Sequence, residues 1–319
     1  MDDLIFRKIC APPATLDGYV AVAKSVANNG TLLFLFVEAD AKEAVTERYA
    51  QGFGTFPRPR MNSMARFLLV YRDRTDWNVI DLPELNVTFP LVDMFPDGSI
   101  LIVGPRSAWR KENDYDLNGV IFDPRTKQLS RVLLGDGINS AFVDKLGRIW
   151  VSYSDEGIFG NFGWGGPGPT PVGAAGLVCF SRAGDKIWEF PDDSIADCYA
   201  LNVFGSEAAV CTYTDFPIWR ISDSFGLKHW KSELGGCRTF AISDNSILAV
   251  GQYDDPPSIA HLGRLGQQEP TKSGSVKTSA VQLLLPDGSA LSDGRLIGRG
   301  SYLYYFDEAG VYRADIDVL

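Results

Sequence analysis

The sequence predicts an all-β fold made from one repeated unit, a short four-stranded antiparallel sheet, and three observations carry that prediction. First, residues 136–190 contain one complete unit. Apolar runs at 140–143, 148–153, 176–180 and 186–190 are separated by turn signals at 144–147 and 183–185 and by a Gly/Pro-rich insertion at 160–173. Second, the signature of that unit's second strand, a tight turn followed by a β-rich run, recurs six times, beginning at Asn28, Pro96, Lys145, Phe204, Asp244 and Pro286. Third, the turn residue is Gly30, Gly98, Gly147, Gly205, Asn245 and Gly288 in turn. A position filled by Gly or Asn is one where a tight hairpin needs positive φ. Six such units make a six-bladed β-propeller of four-stranded antiparallel blades, and the irregular spacing leaves five or seven blades as alternatives. The whole chain, 1–319, is then a single propeller domain.

Each unit follows in order. The first takes its second strand from NNGTLLFLFVEAD and its outer strands from 66–72 and 77–82. Between its second and third strands lies the strongest helical signal, 40–50. There Asp40 and Glu43 form a capping-box pattern, and Val45 and Tyr49 form an apolar i,i+4 pair. The second unit uses 89–95, PDGSILIVG, 119–122 and 129–134; the third is the template. The fourth uses 199–203, FGSEAAVCTYTD, 217–221 and 228–230. The fifth uses 239–242, DNSILAVGQYDD and 260–265, and the polar stretch GQQEPTKSGS after it reads as a loop. The sixth runs through 281–285, PDGSALSDGRLIG, 302–306 and 311–316. The run 4–8 is expected to pair into the last blade and remove exposed sheet edges.

The 319 residues are 45% hydrophobic and 12% aromatic, enough for a large core and contrary to disorder. A formal net charge of −10 disfavours nucleic acid and anionic membrane, which both reward basic surfaces. A basic protein, a cation or an uncharged small molecule fits better. The opening MDDLIFRKICAPPATLDG has the wrong charge and too little apolar length for a signal peptide, and no run is long and apolar enough to span a bilayer. Five cysteines at spacings that match no zinc pattern read as reduced thiols of a cytoplasmic monomer. The sequons at Asn29 and Asn86 then carry no glycan.

Function is expected where loops joining second and third strands meet, because long loops on a rigid scaffold carry binding. Those loops are 40–65, 105–118, 155–174 and 253–258. The second strands leave into acids: Glu38 and Asp40, Asp155 and Glu156, Asp215, and Asp254 with Asp255. The pattern reads as hard oxygen ligands for a cation, as a docking surface for a basic partner, or more plainly as acids that solubilise strand ends. The loop NFGWGGPGPTPVGAAG contains Gly163-x-Gly165-x-x-Gly168, formally a dinucleotide fingerprint. Pro167, Pro169 and Pro171 forbid the helix that this chemistry needs next. The loop is therefore a proline-stiffened insertion, or a recognition loop with Phe162 and Trp164 as aromatic anchors. His229 and His261 stand apart in the sequence, and no Gly-x-Ser-x-Gly elbow occurs, so a zinc site or a Ser-His-acid triad is not supported.

The segment DGINSAFVDKLGRIWVSYSDEGI resembles units of the regulator-propeller, NHL and gluconolactonase-like superfamily, in which a turn of the form D-x-x-G-R-I-W-V recurs; the PDG turns at Asp97 and Asp287 resemble it more loosely. The resemblance implies a six- or seven-bladed propeller. In gluconolactonase-like enzymes a divalent cation such as Ca²⁺ or Mg²⁺ sits in a central channel, held by a Glu of an early Glu-Gly-Pro motif with Asn and Asp ligands. That early motif is absent here. Asp136 and Asn139 are the channel-facing polar residues the resemblance leaves for a metal, with Arg238 in the corresponding place two blades later. The function expected is a binding or interaction module that recognises a basic protein or a small ligand through an acidic face, in one version an inhibitor or immunity-type protein. The alternative is a metal-dependent hydrolase or lactonase with the cation as Lewis acid. A sugar- or peptide-binding protein using Trp164 is a third reading.

Overall fold

A computed structural model describes every residue except 1, 52–53, 192, 267–273 and 293. The fold is a six-bladed β-propeller of mostly four-stranded antiparallel sheets. The chain divides into two compact units, Pro13–Ser194 and Met1–Pro12 with Ile195–Leu319. Each contains three blades.

In the Pro13–Ser194 unit, the first blade is Tyr19–Val26, Leu32–Glu38, Phe67–Asp73 and Asp76–Asp81. The second is Leu91–Met94, Ile100–Val103, Gly119–Asp123 and Gln128–Val132. The third is Ile138–Val143, Ile149–Tyr153, Leu177–Phe180 and Lys186–Glu189. The second strands are apolar almost without alternation because both of their faces are covered, and Ile100–Val103 and Ile149–Tyr153 are buried throughout. The fourth strands Asp76–Asp81 and Lys186–Glu189 are mostly exposed and correspondingly polar. Leu33, Leu35, Phe67 and Leu69 of the first blade share one core with Val92, Ile100, Ile102 and Val120 of the second.

The recurring D-x-x-G-R-I-W turn has a physical cause in the third blade. The Asp144 carboxylate is fully buried; its Oδ1 accepts from the backbone N–H of Leu146 (2.8 Å) and Arg148 (3.0 Å). Its Oδ2 accepts from Arg148 Nε (2.5 Å) and Trp150 Nε1 (3.1 Å), so one side chain fixes the turn and the start of the next strand. Gly147 supplies the φ of +78° that the turn requires.

The other unit holds Asp197–Phe204, Glu207–Tyr213, Ile218–Ile221 and Leu227–Ser232 as the fourth blade. The fifth is Thr239–Ile242, Ser246–Val250, Ile259–Arg264 and Thr278–Leu284. The sixth is Arg295–Arg299, Tyr302–Phe306, Val311–Asp315 and Arg7–Cys10.

Five sequence expectations change here. The run 4–8 does not enter the last blade as one strand. Asp2–Ile5 lies parallel beside Thr278–Leu284 of the fifth blade, and Arg7–Cys10 is the fourth strand of the sixth. The residues 281–285, expected to open the sixth unit, end the fifth. The Gly288 turn leads only to an isolated bridge between Leu284 and Ala290, because ALSD offers no β-rich run, and the second strand of the sixth blade is the buried LYYF segment. Asn245 has no positive φ, unlike Gly30, Gly98, Gly147, Gly205 and Gly288. The helix expected over 40–50 is confined to a 3₁₀ turn, Ala39–Ala41, and one α turn, Lys42–Val45. No side chain caps either, and Tyr49 falls in the strand Arg48–Gln51 instead. Most of the polar stretch GQQEPTKSGS lies outside the described residues, and Gly274–Val276 after it adds a parallel strand to the fourth blade.

Candidate functional site

In the Pro13–Ser194 unit, three successive loops between second and third strands meet. The first carries the hairpin Arg48–Gln51 with Gly54–Pro57, the second the hairpin Trp109–Lys111 with Asp114–Tyr115, and the third the one-turn helix Asp155–Phe159. Arg106, 4% exposed, is the knot that ties them. Its Nε and Nη2 donate to Asp136 Oδ1 (2.9 Å) and Oδ2 (2.8 Å), a bidentate pair, and its Nη1 donates to Glu156. The Ser107 N–H also donates to Asp136 Oδ1 at 2.8 Å. Burial pushes the Asp136 carboxyl up to about 6, against the pull of Arg106 in the other direction. The guanidinium also lies 4.6 Å from the centre of the Phe162 ring. Two bonds lock the second loop to the third: Trp109 N–H donates to Phe162 O (2.9 Å), and Trp164 Nε1 donates to Ser107 O (2.8 Å). The first loop joins through Tyr49, whose ring is 5.9 Å from that of Phe162.

Above this knot the loops leave a cleft of about 330 Å³ lined by Tyr49, Arg58, Pro59, Arg60, Ala108, Arg110, Asp116 and Phe162. Of the residues expected to act here, Phe162 lines the cleft, whereas Trp164 is buried and anchors its loop from below. Glu156 turns inward to Arg106, and the exposed Asp155 accepts from the Glu156 N–H (2.8 Å) in the first turn of the short helix. The arginines and Tyr49 escaped the sequence reading. The run PRPRM, two arginines spaced by prolines on a long loop, is the signal that could have pointed to Arg58 and Arg60.

In the other unit, strand ends and turns of the fourth and fifth blades form a different patch. Tyr199 stacks on Tyr213 (5.9 Å, 11° between planes) and meets Phe216 (5.2 Å) and Tyr253 (6.4 Å) edge to face. The hydroxyls of Tyr199 and Tyr253 are 2.7 Å apart. That hydrogen bond, and burial after it, raises the Tyr199 hydroxyl above its ordinary value, so it stays protonated and neutral. Phe216 is buried under the patch, whereas Tyr213 and Tyr253 are 40% and 61% exposed. Asp215 and Asp254 are exposed beside them, and Asp255 Oδ2 is 2.6 Å from His261 Nε2, a pairing the sequence did not reveal. Arg238 is exposed, with its stem packed so closely over Gly251 that a Cβ there would come within 2.6 Å of its Cγ. His229 stacks on Trp219 at 4.4 Å, a packing role.

The metal ligands implied by the resemblance do not fit a cation. Both oxygens of Asp136 are committed to Arg106 and Ser107, and Asn139 is exposed. Among the described residues no group of three or more His, Cys, Asp or Glu side chains is placed to hold an ion.

No family profile matches the chain, and no curated protein is similar to it in sequence. Solved structures are similar at the level of overall path. A catalytically inactive virginiamycin B lyase from Staphylococcus aureus with quinupristin is 10% identical, with 97% of this chain and 98% of that one covered at a TM-score of 0.46. The β-propeller domain of the Trilobed protease from Pyrococcus furiosus is 10% identical, with coverage of 95% and 82% at 0.47. The Cps50 (Swd1) β-propeller domain from Myceliophteria thermophila is 12% identical, with coverage of 97% and 98% at 0.48. Among the described residues no helix is long and apolar enough to cross a membrane.

Proposed function

We propose that this propeller is an interaction module that takes a basic protein partner on the tyrosine patch of the fourth and fifth blades. One observation carries the reading: Tyr213, at a strand end, and Tyr253, in a turn, stand half-exposed on a packed aromatic base, with Asp215 and Asp254 exposed next to them. Aromatic faces attract lysine and arginine head groups, by about 0.5–1 kcal/mol each at exposed sites and more once desolvated. Neighbouring carboxylates steer a cation inward and disfavour an acidic competitor. Tyrosine also gives contact area at low entropic cost, which makes it a frequent binding hot spot.

The test is titration of the protein with an arginine- and lysine-rich peptide and with a glutamate-rich peptide of equal length, followed by tyrosine fluorescence and calorimetry. The basic peptide should bind with an affinity that falls with salt. Tyr253→Ala should weaken it about 2- to 5-fold, the equivalent of one exposed cation–π contact. Asp215→Lys with Asp254→Lys should weaken it further. Equal binding of both peptides, or unchanged binding by the charge-reversed protein, would sink the proposal.

A further inference from the structure

We infer that the loop-built cleft of the Pro13–Ser194 unit is a separate binding site for a small organic anion, a flat ring bearing a carboxylate or phosphate. The lining holds three arginines against one carboxylate, Asp116. Each guanidinium has five N–H donors, and only part of each set is used. Arg58 Nε lies 2.9 Å from Glu47 Oε1; Arg60 Nη1 lies 3.4 Å from Asp116 Oδ1. Arg110 uses Nε on Asp114 (2.7 Å) and Nη2 on Asp116 (3.0 Å). Arg58 Nε is buried and, though close to Glu47, makes no hydrogen bond; both Nη of Arg58, Nε and Nη2 of Arg60 and Nη1 of Arg110 likewise have no hydrogen-bond partner among the described residues.

Asp116 acts as a fixed post from which two of these forks are spread. Its side chain is 10% exposed, its Oδ2 accepts from the Ala108 N–H at 3.1 Å, and Arg60 and Arg110 both reach its Oδ1. Splayed planar forks suit the two or three oxygens of a carboxylate or phosphate. The aromatic half of the site is equally fixed: Phe162 is held from behind by the buried Arg106, and Tyr49 is tilted 54° to it. A ring placed between these faces and an oxyanion among the arginines would use every kind of group in the lining. A volume of about 330 Å³ is at the small end of the range of ligand clefts, about 300–1,000 Å³, and selects a one- or two-ring ligand over a dinucleotide.

The protein's net charge of −10 opposes an anion only weakly at this range. At physiological salt, exposed charges beyond about 8 Å are largely screened, so the local field is set by the three arginines together with their paired carboxylates Glu47, Asp114 and Asp116, and an anion is drawn by the unused N–H donors rather than by a net positive charge. The cleft and the tyrosine patch thus have opposite charge preferences and lie in different units, and the two proposals stand or fall separately.

The experiment is calorimetric titration of the whole protein with phenyl phosphate, benzoate, inorganic phosphate and benzylamine. Phenyl phosphate or benzoate should bind at least about 10-fold more tightly than inorganic phosphate, which lacks the ring, and than benzylamine, whose charge is reversed. Arg60→Gln and Arg58→Gln should each weaken binding about 10- to 100-fold, the worth of a hydrogen bond to a charged group, with Arg60→Lys recovering part of the loss. Both side chains are substantially exposed, so the variants should keep the parent melting temperature. Absence of saturable binding by either ring anion, equal binding of inorganic phosphate, or ring-anion binding that survives both substitutions overturns the inference.

Discussion

Replacing Arg106 by methionine tests the knot beneath the cleft most directly, because the cost should depend on pH in a calculable way. Methionine keeps the apolar stem and removes the charge. In the native protein Asp136 titrates at about 6, raised from an ordinary 3.8 by burial and restrained by Arg106. An acid with a raised native value holds its proton more tightly folded than unfolded. Its contribution to stability is therefore complete below about pH 4 and is lost as pH rises to about 6. Without Arg106 the restraint disappears and burial raises the carboxyl further. Above pH 6 the parent then holds an ionised pair while the variant must keep a proton, and each pH unit adds about 1.4 kcal/mol to the variant's deficit. Lost charge-assisted hydrogen bonds and the contact with Phe162 add about 1–2 kcal/mol that does not vary with pH. The deficit should be about 3 kcal/mol at pH 7, the low end of what breaking a buried pair costs. It should shrink toward the fixed part at pH 6 and grow at pH 8. Urea unfolding of both proteins at pH 6, 7 and 8, followed by tryptophan fluorescence, measures it. A deficit independent of pH would mean that water reaches Asp136 in the variant, and the account of a sealed pair would be wrong.

Two further outcomes follow from backbone and thiol burial. Gly137 has φ +65° and a Cβ there would overlap the backbone nitrogen of Gly157, whereas Gly98 has φ +86° and open space. Gly98→Ala should cost only the left-handed strain of about 1–2 kcal/mol, and Gly137→Ala clearly more in the same urea melts; equal costs would refute the close approach. Cys179, Cys198, Cys211 and Cys237 are buried and Cys10 is not, with burial pushing the Cys179 thiol up to about 12. A disulfide exchange reagent should find one fast thiol in the native protein and five in denaturant; two or more fast thiols would contradict the packing.

The blades were legible because their signals are local. Gly30, Gly98, Gly147 and Gly205 mark turns with positive φ, and each is followed within a few residues by a buried strand. The same rule misled at Pro286, where the PDG turn is real but the following residues cannot make a strand, and it shifted the sixth blade by one strand. The candidate sites were legible only in part. Phe162, Asp215 and Asp254 could be chosen from loop position and residue type. Arg106 could not, because its partners Asp136 and Glu156 are 30 and 50 residues away and only the stacking of consecutive blades brings them together. The same holds for the tyrosine patch, in which the Tyr199–Tyr253 hydrogen bond spans 54 residues. Counting acids at strand ends also missed that Glu156 faces inward, sharing Arg106 with Asp136.

The two strands made by Asp2–Ile5 and Arg7–Cys10 set a schedule for synthesis. These residues leave the ribosome about 280 to 300 positions before their partners, Val281–Leu284 and Val311–Arg313. At roughly 5–20 residues per second, the wait is on the order of tens of seconds. Throughout it the apolar Leu4, Ile5 and Phe6, all but Ile5 buried in the folded protein, lack the strands that cover them, and an unpaired apolar segment is the kind that chaperones shield. The fifth and sixth blades, which this one segment joins, are therefore the last to be completed.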